Sequence, residues 1–103
     1  MKLRDAADVI RSKNSGPYEL TFDIIFKDSV LFRKVVDSGV INRELFAKLY
    51  NLPLENITAV ICFSPANAIK ATIVRPIPSG ALGERDVYGA QQHVPLLDVE
   101  IPL

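Results

Sequence analysis

Two polar segments contain the residue types that could perform chemistry in this chain. Residues 11–18 read RSKNSGPY, and residues 76–95 read PIPSGALGERDVYGAQQHVP and include His93, the single histidine. Both interrupt an apolar sequence in which 49% of the residues are hydrophobic. If the fold brings the two segments together, they form one candidate site.

The first segment has the donors of an anion-binding turn. Arg11 supplies a planar fork of N–H groups and Lys13 a point charge, while Ser12, Asn14 and the backbone near Gly16 add neutral donors. Such a set suits a carboxylate or phosphate, although it matches neither the P-loop nor the dinucleotide-binding pattern. The alternative is a solvated turn, with Asn14 and Gly16 present for their backbone conformations.

The second segment is long for a connection without secondary structure, because such connections beyond roughly 12–15 residues are uncommon in compact domains and are often functional. His93 could act as a general acid or base near neutral pH, with Gln91 and Gln92 orienting a substrate. Equally, His93 could be a structural side chain that donates to a backbone carbonyl. Tyr88 could contact a substrate or fix the loop through its ring.

Some of these residues are expected to shape the two segments through their backbone. The set comprises Gly16, Pro17, Ser79, Gly80 and Gly89.

One cysteine and one histidine make no ligand cluster, so we predict no metal and no cofactor. A serine hydrolase is disfavoured because the GxSxG motif is absent.

Composition limits the classes of function. The 103 residues fit a single domain spanning 1–103, and no apolar run is long enough to cross a membrane. The 12 basic and 12 acidic side chains cancel, which disfavours nucleic-acid binding. A charged N-terminus and a single cysteine predict a cytoplasmic protein. Its apolar runs favour association with another subunit, a homo-oligomer included.

Periodicity predicts the elements that position these segments. Residues 19–26 alternate as a half-buried strand. Helical spacing follows, with Asp28 or Ser29 as the N-cap and Gly39 at the end, and a second helix begins with Asn42 as its cap and stops before Pro53. Residues 57–63 resemble a central strand covered on both faces, with Cys62 packed inside. Residues 57–75 are expected to form a hairpin with an irregular turn at residues 64–67, SPAN.

Two more strands are expected at the ends of the chain. Residues 96–101 alternate and should close the sheet, and the first ten residues form a strand or, alternatively, one helical turn started by Asp5. The order predicts an α+β fold, with helices on one face of a mostly antiparallel sheet.

The chain resembles a known family in three segments: RSKNSGPYELTFDIIF, PANAIKATIVRPIPSG and DVYGAQQHVPLLDVEI. Together they are similar to domain-of-unknown-function family 4387 over essentially the whole chain. Members are small proteins encoded beside, or fused to, a large protein of the acyclic terpene utilisation family. That large protein can carry a C-terminal ferredoxin-like domain, which implies a ferredoxin-like two-layer sandwich here.

The resemblance is incomplete at the basic segment. Arg11 and Ser12 match an RSG-type loop of the large family's domain, but the Gly-Asp-Lys-Gly stretch expected next is replaced by residues 13–16, KNSG. The DVYGAQQHVP stretch is a signature of the small family alone. The resemblance therefore implies a related fold without implying a shared ligand.

The resemblance also implies a partner and a function. We expect the small subunit of a two-component catabolic assembly, inactive alone, whose 11–18 and 76–95 loops contribute to a site shared with the large protein. An acidic metabolite or acyl thioester would meet Arg11 and Lys13, with His93 carrying a proton in hydratase or lyase chemistry. The alternative is a non-catalytic structural or metabolite-sensing subunit.

Overall fold

A four-stranded antiparallel sheet forms the framework, with strand order β1-β2-β4-β3. The structure is a computed structural model that describes residues 1–16, 18–74 and 93–102. The strands are β1 (Ala7–Asn14), β2 (Glu19–Phe26), β3 (Ile57–Phe63) and β4 (Ala68–Val74). The helices are α1 (Leu3–Ala6), α2 (Ser29–Ser38) and α3 (Arg43–Tyr50).

Strand β2 lies inside the sheet and shows the alternation expected from its sequence. The side chains on one face are buried, namely Leu20, Phe22, Ile24 and Phe26. The rings of Phe22 and Phe46 lie 5.4 Å apart between centroids, and those of Phe26 and Phe32 lie 6.0 Å apart. Helices α2 and α3 therefore cover this face, which we call the inner face.

Both longer helices begin and end where their capping residues require. Asp28 accepts a hydrogen bond from the Leu31 N–H and Asn42 accepts one from the Leu45 N–H, each at 2.8 Å. Helix α2 ends at Gly39, whose φ of 68° is the left-handed conformation that glycine adopts without strain. The sequence prediction of both helices is confirmed.

The hairpin of β3 and β4 is confirmed, but the predicted burial of β3 is wrong. A 3₁₀ turn at Ser64–Ala66 joins the strands, and Asn67 has a left-handed φ of 51°. Strand β3 is an edge strand of the described sheet, and Cys62 is exposed. A continuous apolar run does not reveal which strand is central, because edge position depends on the pairing of the whole sheet.

The two ends of the chain meet in an arrangement that we call the terminal clasp, formed by residues 1–6 and 93–102. The Leu3 N–H donates to the Val99 carbonyl at 2.8 Å, and the Ile101 N–H donates to the Met1 carbonyl at 2.7 Å. Five buried apolar side chains of the clasp join the core: Leu3, Ala6, Leu96, Val99 and Ile101.

The clasp corrects two expectations. Residues 96–101 do not form a closing strand, because Val94–Leu96 is a 3₁₀ turn and only Glu100 forms a β-bridge, to Lys2. The first residues form the helical turn α1, the alternative to a strand, before β1 begins at Ala7.

The topology defines an α+β two-layer sandwich of the ferredoxin-like type, as expected. Strands β2 and β3 both pair antiparallel with β4, so they run parallel to each other and are linked by α2 and α3 on the inner face. The opposite, outer face has no helix over it among the described residues. No helix in the described ranges is both long and apolar enough to cross a membrane.

Candidate functional site

The basic segment begins inside a strand, which corrects its assignment as a connecting loop. Strand β1 extends to Asn14, with Arg11 opposite Asp23, Ser12 opposite Phe22 and Lys13 opposite Thr21. Because successive side chains of a strand point to opposite faces, Ser12 lies on the inner face with Phe22, whereas Arg11 and Lys13 lie on the outer face. The proposed anion-binding residues are therefore divided between two faces.

Ser12 and His93 are in direct contact. The Ser12 Oγ accepts a hydrogen bond from the His93 backbone N–H at 3.0 Å and lies 3.5 Å from the Nδ1 of the same residue. Ser12 is 6% exposed, and His93 is half-buried. The end of the 76–95 segment is therefore held against β1, and the two polar segments of the sequence do meet.

This contact has a chemical consequence for the imidazole. When the Ser12 hydroxyl donates toward Nδ1, the ring proton is on Nε2; when it donates elsewhere, Nδ1 can carry the proton. A hydroxyl that touches both the backbone and the ring of one residue limits how that ring can turn. His93 is thus a half-buried side chain held beside Ser12.

The remaining candidates of the two segments are placed as follows. Asn14 ends β1 and is half-buried. Gly16 has a φ of 116°, which agrees with its expected loop-shaping role, since side-chain-bearing residues rarely adopt that angle. The other candidates lie outside the described residues: Pro17, Ser79, Gly80, Tyr88, Gly89, Gln91 and Gln92.

A second group of polar side chains crosses the outer face. Arg11, Asp23 and Lys70 lie side by side on three adjacent strands, and the Arg11 Nε donates to Asp23 Oδ2 at 3.1 Å. They border an open depression of about 340 Å³. Its apolar lining is formed by Ile25, Ile61, Phe63, Ala66 and Ala68.

Local sequence patterns did not mark four of these residues as candidates: Asp23, Lys70, Ile61 and Phe63. The alternation of β2 could have indicated this face, because Thr21, Asp23 and Ile25 point away from the side chains that alternate with them in the core. Strand pairing was the missing information, because the sequence does not reveal which residues of β3 and β4 stand beside Asp23.

Among the described residues, the acidities of Asp98 and Tyr50 are shifted. A hydrogen bond from Arg4 holds the pKa of Asp98 below its ordinary value, and the charges of Arg4 and Lys2 act in the same direction. Burial raises the pKa of Tyr50, which packs with its ring centroid 5.1 Å from that of Phe22. Both groups belong to the packing of the fold.

No group of three or more histidine, cysteine, aspartate or glutamate side chains is gathered among residues 1–16, 18–74 and 93–102. The fold and these sites define a small α+β domain with a held serine–histidine contact on the inner face and an open outer face. The chain belongs to the family described as domain of unknown function (DUF4387), whose model matches residues 3–100. Neither a curated protein nor a solved structure matches it significantly.

Proposed function

We propose that this chain is the small subunit of a cytoplasmic, two-component catabolic assembly, and that it contributes to a site shared with a large protein of the acyclic terpene utilisation type. The resemblance in the sequence suggests the partner. The observation that carries the site is the contact of Ser12 with His93, because it joins the two polar segments at one place.

The proposed site is narrower than the set suggested by the sequence. Ser12 and Asn14 remain in it, since both lie on the inner face of β1, where Ser12 contacts the end of the 76–95 segment. Arg11 and Lys13 are on the other face, so they do not contact the same substrate group as Ser12. The residues that bind the acidic group of the substrate then come from the large subunit or from residues 75–92.

His93 is the proton carrier in this proposal. The substrate is an acidic metabolite or an acyl thioester, and the reaction is the addition of water to a carbon–carbon double bond or its reverse. His93 accepts a proton from water as the water oxygen bonds to one carbon, and it then returns that proton to the other carbon, so that His93 ends neutral and the net change is the addition of one water molecule. Ser12 is a positioning residue, because it acts through the orientation of His93.

The test is reconstitution of the assembly. The chain is co-expressed with the large protein encoded beside its gene, and size exclusion with light scattering measures whether a defined complex forms. A complex with hydratase or lyase turnover that falls at least 100-fold in His93→Gln supports the proposal, since general acid–base catalysis contributes typically about 10²–10⁴-fold. Separate elution of the two chains contradicts it.

The proton-carrier role has its own control. Ser64→Ala removes an exposed hydroxyl in the β3–β4 turn, remote from His93 in the fold, and should leave turnover unchanged. Full turnover in the His93→Gln complex would reject the role of His93 and leave the subunit assignment standing.

A structural or sensing subunit is the second candidate function. It is favoured by the exposure of Ile61 and Phe63, each 57%, on the outer face, because large apolar side chains exposed together commonly mark contact surfaces. In that case Ser12→Ala and His93→Gln would both preserve the activity of the complex. A sensor would instead gain thermal stability from a metabolite anion without converting it.

A further inference from the structure

The outer face of the sheet combines apolar and cationic side chains in cross-strand rows. Strand pairing places Val9, Ile25, Ala68 and Phe63 in one row and Arg11, Asp23, Lys70 and Ile61 in the next. We call these two rows the outer docking face. They lie toward the end of the sheet that is near the 3₁₀ turn between β3 and β4.

Exposure is concentrated in this part of the face. Ile61 and Phe63 are each 57% exposed and Val9 is 37% exposed, whereas Thr21, one row further along β2, is 4% exposed. Side chains of this size in adjacent positions leave a continuous apolar area in water. The open area therefore has a defined position in the fold.

Among the described residues, the same area includes a sheet edge with no neighbouring strand and no charged side chain of its own. Strand β3 lies at the edge of the described sheet and reads ITAVICF, without a charged residue or a proline. Edge strands of soluble proteins commonly carry lysine, proline or a covering element, because their free N–H and C=O groups can pair with another chain. The edge and the outer docking face meet along Ile61 and Phe63.

The charges of the face indicate what covers it. Asp23 is paired with Arg11, and its side chain is only 18% exposed. Lys70 is exposed and forms no ion pair among the described residues. One positive charge beside an apolar area is left without a carboxylate, so a complementary surface would carry apolar side chains and at least one acidic group.

We propose that the outer docking face binds the large subunit, through a surface segment of that protein in which apolar side chains are flanked by carboxylates. This inference rests on the proposed function, and it assigns one contact surface for the large subunit, on the face of the sheet opposite the contact of Ser12 with His93. Ile61 and Phe63 provide the apolar contact, and Lys70 pairs with an acidic side chain of the large subunit.

Two other occupants fit the face less well. A small ligand would remain largely in water, because the depression has Ile61 and Phe63 as exposed walls, whereas ligand pockets bury most of the ligand surface. A second copy packed on the same face would bring another Lys70 and another paired Asp23, and would supply no free carboxylate.

The test compares matched variants in the co-expressed complex. Ile61→Asp and Phe63→Asp place a carboxylate in the apolar area, and Lys70→Glu reverses the unpaired charge. Val30→Asp is the control, since Val30 is 61% exposed on α2, in the helical layer on the other side of the sheet. Circular dichroism verifies that each variant is folded, and affinity for the large subunit is measured at two salt concentrations.

We expect at least tenfold weaker binding for Ile61→Asp and Phe63→Asp and unchanged binding for Val30→Asp. Lys70→Glu should weaken binding and reduce its salt dependence. If the wild-type complex forms but Ile61→Asp, Phe63→Asp and Val30→Asp bind alike, the docking inference is overturned and the subunit assignment stands.

Two other outcomes also decide the inference. If no wild-type complex forms, the proposed function and the docking inference both fail. If the isolated chain is a dimer that Phe63→Asp dissociates and Val30→Asp does not, the outer docking face binds a second copy and the charge argument is wrong.

Discussion

Replacing Ser12 by Ala should release the end of the 76–95 segment from β1. The Ser12 Oγ accepts the His93 N–H at 3.0 Å, and Ser12 is 6% exposed, so water cannot freely replace the lost acceptor. An unsatisfied buried donor costs roughly 1–3 kcal/mol, and the partial exposure of His93 favours the lower half, about 1–2 kcal/mol. We therefore expect the His93 amide to exchange with solvent about 5- to 30-fold faster.

The assay is amide hydrogen exchange followed residue by residue by nuclear magnetic resonance. Ser12→Thr keeps a hydroxyl at the same position of β1 and should retain most of the protection. Ser64→Ala makes the same chemical change at an exposed site and should have no effect. Exchange of the His93 amide within about twofold of wild type in Ser12→Ala would refute the view that this hydrogen bond holds the segment.

Two further predictions concern the fold. Phe46→Ala should lower the free energy of unfolding by about 3–5 kcal/mol in urea titrations, because its ring is fully buried. Phe63→Ala should lower it far less, because Phe63 is 57% exposed. Similar losses in the two variants would contradict the assigned faces. Asp98→Asn should flatten the dependence of Tm on acid pH. Because folding lowers the pKa of Asp98, its carboxylate stabilises the folded chain above the ordinary pKa of 3.8, and this stabilisation is lost as the pH falls through the lower pKa of the folded state. Parallel Tm curves of wild type and variant between about pH 7 and about pH 2 would contradict this role of Asp98.

Local patterns were sufficient to predict most of the framework. The alternation of β2 and the caps at Asp28, Gly39 and Asn42 are set by interactions within a few residues, and the structure agrees with them. The same is true of the turn near Asn67, which requires a left-handed residue.

The errors concern contacts between distant parts of the chain. Leu97, Val99 and Ile101 alternate as a strand would, but they pack against the first residues. Their backbone groups bond to Met1, Leu3 and Arg4, and the Leu97 and Val99 N–H groups donate locally to the carbonyls of Val94 and Leu96. Likewise, RSKN reads as a polar turn until β1 is paired with β2, and pairing then separates Arg11 from Ser12. Sequence could suggest that Ser12 and His93 belong to one site, but not which atoms meet.

The terminal clasp makes this fold a candidate for circular permutation. The Met1 nitrogen lies 3.1 Å from the Ile101 carbonyl oxygen, so a short linker could join the two ends without disturbing the core. New ends opened between β1 and β2 would give the order β2, α2 and α3, β3, β4, the intervening segment and then β1. That is the strand order of a β-α-β-β-α-β ferredoxin-like unit. The chain thus has the architecture of that unit with its last strand transferred to the front.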